Sequence, residues 1–177
     1  MTALTRVLRI APALSAALIL SWPASAAGQA TTAPPVVRQQ IVSANPFGLM
    51  FGWFNVEFER EMTSSATWGA SASWFSLGDD AFDYANGNAI VRYYPSGTVL
   101  RGFYLGGRGG VYHVSDEFES AAFFGAGFEI GYSWLLGVNR NIGISLGAGA
   151  TRLFGGELNG LSLTIPTVRL VNVGIAF

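Results

Sequence analysis

Read backwards from Phe177, the chain places Phe177, Ile175, Val173 and Val171 at every second position, with Ala176, Gly174, Asn172 and Leu170 between them. A period of two is the mark of a strand. One face is large and apolar and the other small or polar, the pattern of a strand with lipid on one side and a lumen on the other. The same alternation recurs over residues 39–48, 52–60, 67–77, 87–94, 102–113, 122–134, 142–153 and 167–177, separated by turn signals, and only the first segment is blurred, by Pro46 and Gly48. The fold class this predicts is all-β, an eight-stranded antiparallel transmembrane up-and-down β-barrel. An even strand number puts both termini on the periplasmic side.

The two faces carry different chemistry. Trp68, Ala70, Ala72 and Trp74 share the outward face of the third strand. At about 3.3 Å rise and about 40° tilt, the two tryptophans are separated by about 15 Å along a membrane normal, close to the two aromatic girdles of an apolar band. Phe54, Val56 and Phe58 face the same way in the second strand, as do Phe124, Phe128, Ile130, Tyr132 and Trp134 in the sixth, so Trp68, Trp74, Trp134 and Phe177 are the expected girdle. Inward, the alternation points Asn55, Glu57, Glu59, Arg92, Tyr104 and Arg108 into the lumen, with Tyr112, Glu129, Ser145 and Asn172. Burying an unpaired charge is costly, so Glu57, Glu59 and Glu129 are expected to form a lumen charge network with Arg92 and Arg108. Such a network would fill the lumen; the same charges could instead line an ion path.

The beginning of the chain changes where this fold must reside. Arg6 and Arg9 precede the apolar run IAPALSAALILSW, and the small triplet Ala24, Ser25, Ala26 follows, the three regions of a secretory signal peptide. The expected organisation is a signal peptide over 1–26, a flexible periplasmic segment over 27–38 containing adjacent prolines, and the barrel over 39–177. Half of the residues are hydrophobic and 12% are charged, yet no later segment offers the roughly 18 apolar residues of a spanning helix. Lipid tolerates only structures that satisfy their backbone internally, which leaves the closed barrel. The absence of cysteine excludes disulfides and thiolate metal sites. The basic residues are all Arg and the formal net charge is −1, which gives no basic patch for nucleic acid.

Connection lengths suggest an orientation. The links around EREMTSS, PSGTVLR and LLGVNRN read as short or compact, those around SLGDDAFDYA, VSDEFESA and FGGELNGLSLTIP as longer, and outer loops are the longer ones. The long links carry Asp79, Asp80, Asp83, Asp116, Glu117, Glu119 and Glu157, whereas Arg60, Arg101 and Arg140 belong to the short ones.

The stretches SANPFGLMFGWFNVEFERE, RYYP with LRGFYLG, GAGFEIGYSWLL, GISLGAGATRL and IPTVRLVNVGIAF together resemble the small eight-stranded outer-membrane barrels grouped as a domain of unknown function, common in Bacteroidetes and other Gram-negative lineages. The resemblance covers nearly all of the chain after residue 26 and implies a barrel without catalytic or ligand residues. Val171, Val173, Ile175 and Phe177 look like the terminal signal that the barrel-assembly machinery reads. His113, Ser115 and Glu129 can be aligned by eye with the His-x-Ser arrangement of an outer-membrane lipid A deacylase, but Glu129 should face the lumen, and without base, nucleophile and acid in mutual reach there is no mechanism. GGRGG, residues 106–110, precedes no helix and reads as strand glycines that permit close packing rather than as a phosphate cradle.

The expectation is therefore a monomeric, non-enzymatic outer-membrane protein of a Gram-negative bacterium with no metal or other cofactor, its partners being lipid, lipopolysaccharide and the assembly machinery. It would act structurally or through acidic outer loops. A narrow channel is the alternative, and a lipid-modifying enzyme using His113 and Ser115 a second.

Overall fold

The computed structural model describes residues 37–77, 82–116, 120–155 and 163–177. The expected signal peptide over 1–26, most of the segment expected over 27–38, and the acids Asp79, Asp80, Glu117, Glu119 and Glu157 lie outside the described residues. Eight strands form a single antiparallel sheet: β1 (Gln40–Ala44), β2 (Trp53–Thr63), β3 (Ala66–Leu77), β4 (Phe82–Tyr93), β5 (Gly102–Asp116), β6 (Ser120–Leu136), β7 (Ile142–Phe154) and β8 (Leu163–Ala176). Each pairs with its chain neighbours, and β8 pairs back onto β1 with Ile41 opposite Ala176 and Ala44 opposite Val173, closing the hydrogen-bonded ring. Closure leaves no free sheet edge among these strands.

The first strand departs from its expected span of 39–48. It stops at Ala44 because Asn45 caps a short helix, α1 (Pro46–Met50), its Oδ1 accepting the Gly48 N–H at 3.0 Å. Pro46 at the first helical position has no N–H to leave unpaired and a φ already suited to a helix. The feature that blurred the alternation was therefore a helix start. Among the described residues no helix is long and apolar enough to cross a membrane.

The long and short connections also differ from expectation. β4 begins at Phe82 rather than 87, β5 and β6 reach Asp116 and Ser120, and β8 begins at Leu163 rather than 167. Asp83 and Asp116 are thus strand residues, and length does not distinguish the two ends of the ring. Turn-like composition concealed hairpins whose strands run on past it, because backbone pairing tolerates Asp, Ser and Asn near strand ends.

At the opposite end from α1, the link between β4 and β5 is no open turn. Tyr94, Val99 and Leu100 are buried and pack with Tyr104, Ile41 and Leu135 inside the ring. Leu100 holds φ at 62°, which turns its side chain into this cluster at some backbone cost.

Outside, the described strands present an apolar surface. Phe128, Ile130, Val111, Leu105, Val91 and Ile175 are all exposed. The outward charged side chains of the described strands, Arg60, Asp83 and Arg152, each lie within three residues of a strand end.

Candidate functional site

Adjacent strands deliver charged residues to the same interior level. Glu57 and Glu59 come from β2, Arg92 from β4, Arg108 from β5 and Glu129 from β6, each at an inward position of the alternation. Arg92, 1% exposed, is the hub. Its Nε donates to Glu129 Oε1 at 2.7 Å, Nη1 to Glu57 Oε1 at 2.8 Å and Nη2 to Glu57 Oε2 at 3.0 Å, while Nη1 also meets Glu59 Oε2. A planar guanidinium with five donors is the side chain able to serve three carboxylates at once. Arg108 pairs with Glu129 through Nη2.

A sixth member, Arg169, is absent from the expected set. Its Nη1 donates to Glu57 Oε1 at 2.8 Å, its Nη2 pairs with Glu57 Oε2, and Glu129 Oε1 lies 3.5 Å away. Strict alternation counted back from Phe177 turns Leu170 inward and Arg169 outward. The register shifts between Ser145 and Gly147: Ser145 faces Asn172 but Gly147 faces Arg169, so β8 carries one extra residue there. This β-bulge reverses the alternation and brings Arg169 inside, and Val171 is half-buried at it rather than on the exposed face. The available sequence cue was the interior balance, three carboxylates against two arginines.

The network is tied to the buried end cluster. Glu59 Oε1 accepts from Thr67 Oγ1 at 2.6 Å and from Tyr94 Oη at 2.7 Å. Burial, and then the adjacent Glu59 charge, hold the Tyr94 hydroxyl well above its usual pKa, so it remains a donor. The Arg92 guanidinium lies 4.8 Å from the Tyr104 ring centre. Gly106 makes this crowding possible, since a Cβ there would stand 2.9 Å from Glu129 Cγ and 3.2 Å from Arg92 Cγ.

On the α1 side of the network the interior holds open space. A cavity of about 360 Å³ is floored by Glu57, Arg108 and Arg169 and walled by Asn55, Ser71, Ser73, Asn86 and Tyr112. Trp53, Phe75, Phe82 and Ile165 line it nearer the strand ends. The inward serines of β3, Ser71 and Ser73, help leave this space, because small residues sit where a filled bore would need large ones. On the other side of Glu57, toward Tyr94 and Leu100, the void is about 10 Å³.

The remaining expected residues are placed as follows. Trp68, Trp74, Trp134 and Phe177 all lie exposed on the outer face, with Trp68 edge-on to Phe58 at 6.1 Å and Trp134 4.6 Å from Tyr132. Val173 and Ile175 are exposed beside Phe177, whereas Val171 sits at the bulge, half-buried. His113 points outward between Ala85 and Ala122, and Ser115 follows it on the same face, while Glu129 is buried inside the ring. The three are not brought together.

No protein-family model matches the chain, and no curated protein or solved structure is significantly similar to it. What stands of the resemblance is coarser, a single antiparallel sheet closed through eight strands.

Proposed function

We propose that this chain is an integral outer-membrane β-barrel, exported by its leader, whose interior is plugged at one end and whose role is structural or interactive at the cell surface. The observation that carries the reading is the outer surface: large apolar side chains cover the middle of the strands, and the outward charges Arg60, Asp83 and Arg152 stay near strand ends. In water such a surface would drive aggregation; in lipid it is the required solvent match. Trp68, Trp74, Trp134 and Phe177 are the interfacial anchors. Arg92 and its partners then fix the strands to one another from within, where bilayer hydrophobicity contributes nothing.

In this reading the barrel is a monomer in lipid and lipopolysaccharide, inserted by the assembly machinery, and the links bearing Asp79, Asp80, Glu117, Glu119 and Glu157 reach the outside with α1. It assigns no catalysis to His113 and Ser115. The narrow channel is the weaker reading, because the cavity meets the buried Arg92 network and then Tyr94, Leu100 and Tyr104. Cell fractionation with a heat-modifiability assay tests the assignment: the folded form should sediment with outer membranes and shift in electrophoretic mobility on boiling. Recovery as a soluble periplasmic protein would refute it.

A further inference from the structure

The cavity on the α1 side has the volume and the lining of a small-molecule site. About 360 Å³ falls within the usual range of ligand pockets, roughly 300 to 1,000 Å³. Its polarity is graded. Trp53 and Phe75, with ring centres 6.2 Å apart, stand with Phe82 and Ile165 near the strand ends, and Arg108, Asn55 and Asn86 lie deeper.

The deep part has unused donors. Among the described residues, Arg108's hydrogen bonding is confined to Nη2, and the side chain lines the cavity. Tyr84 Oη accepts from Asn86 Nδ2 at 2.9 Å, and Ser73 Oγ accepts from Asn55 Nδ2 at 2.8 Å, so each hydroxyl keeps its own hydrogen to donate. A ligand that satisfies this floor must bring acceptors.

Charge narrows the class further. At the floor of the cavity Glu57, Glu59 and Glu129 balance Arg92, Arg108 and Arg169, and Glu61 lies beyond Glu59 toward the other end of β2, away from the cavity. An ionised ligand would add an uncompensated charge to an interior that is already paired, which low dielectric makes costly. The acceptor is therefore uncharged.

We propose that the cavity binds a small uncharged amphiphile, its carbonyl or hydroxyl head against Arg108, Tyr84 and Ser73 and its apolar body against the paired rings of Trp53 and Phe75. This site does not depend on what surrounds the ring. The body enters last, so the apolar wall near the α1 end covers it, and the closed far end makes the site a pocket with one mouth.

Three probes with one body and different heads test this: 3-phenylpropanamide, 3-phenylpropanoate and 3-phenylpropylammonium at pH 7, titrated calorimetrically into the folded protein. The amide should bind saturably and at least tenfold more tightly than either ion. Ser71→Phe, which fills the cavity without removing a charge pair, should abolish amide binding, and Asn86→Leu should weaken it at least tenfold. Both variants are first checked for the wild-type circular-dichroism spectrum and unfolding midpoint; if one does not fold, the other decides. Absence of saturable amide binding to the wild type overturns the proposal. So does binding that the folded variant retains in full, which would mean partition into detergent, or a preference for either ion.

Discussion

Arg169 on β8 reaches Glu57 on β2 across the intervening β1, Nη1 to Oε1 at 2.8 Å. The contact spans the seam where the last strand meets the first, so it links two parts of the chain that are 112 positions apart. β1 contributes only five residues to that seam. A charge-assisted bond over the shortest strand supports closure where the backbone ladder is least extensive.

The arginines should therefore differ in cost when removed. Arg92 serves three carboxylates, Arg169 principally Glu57, and Arg108 only Glu129 while remaining 11% exposed. Breaking a buried pair commonly costs about 3–5 kcal/mol. Arg92→Ala should lower the urea midpoint most, Arg169→Ala next and Arg108→Ala least. Equal midpoints for Arg92→Ala and wild type would remove the network from any account of stability.

Deletions at the bulge test the parity directly. Ser145 already faces Asn172 and Gly147 already faces Arg169, so without Val171 β8 pairs continuously with β7 and Arg169 keeps its inward place against Glu57. That variant should keep the folded form, whereas deleting Leu170 and Val171 together puts Arg169 next to Asn172, on the outer face, and should lower the urea midpoint sharply. A double deletion with the wild-type unfolding midpoint would show that the inward position of Arg169 has no structural role.

Residues 173–177 illustrate what alternation can reveal and where it stops. Their faces follow directly from the period of two, as do those of Glu57, Glu59, Arg92, Arg108 and Glu129, because inside or outside is settled by parity within one uninterrupted strand. Arg169 was hidden because a bulge changes parity without leaving a mark such as Gly or Pro. Tyr94 was hidden because it lies in a link whose YPSG composition reads as a surface turn, although that link folds inward. The cavity was hidden for another reason: alternation says which side chains point inward, but not whether Ser71, Ser73 and their neighbours leave space between them.

Tyr94→Phe separates the plug's packing from its hydrogen bond. The ring should still fill the space beside Tyr104, but Glu59 would lose the donor at 2.7 Å. Hydrogen bonds to charged groups contribute about 1.5–3 kcal/mol, so the urea midpoint should fall measurably while planar-bilayer recordings remain silent, as for wild type. Steady ohmic conductance of the wild-type protein would favour the channel reading instead.

The outer face can distinguish lipid from water. Phe128 is 62% exposed near the middle of β6. In a bilayer, Phe128→Arg should cost about 2–4 kcal/mol, whereas an exposed substitution in water usually changes stability by about 0.5 kcal/mol or less. Urea unfolding in lipid vesicles measures the difference. A wild-type midpoint for Phe128→Arg would place that face in water.

Phe177 joins two of these arguments. Its backbone closes the seam, N–H to Gln40 O at 2.9 Å and O from Gln40 N–H at 3.0 Å, while its ring stands 53% exposed on the outer face beside Ile175. Phe177→Asp keeps the backbone bonds and places a carboxylate among apolar neighbours. If that face meets the periplasmic edge of a membrane, the ring is needed there for anchoring and, in the proposed assembly signal, for insertion. Leader cleavage and export should then proceed normally while the variant accumulates in the periplasm or is degraded. Phe177→Trp, which keeps a large amphipathic ring at the same interface, should restore outer-membrane levels. Normal outer-membrane levels of a heat-modifiable Phe177→Asp protein would leave the ring with no part in assembly and confine Phe177's role to its backbone.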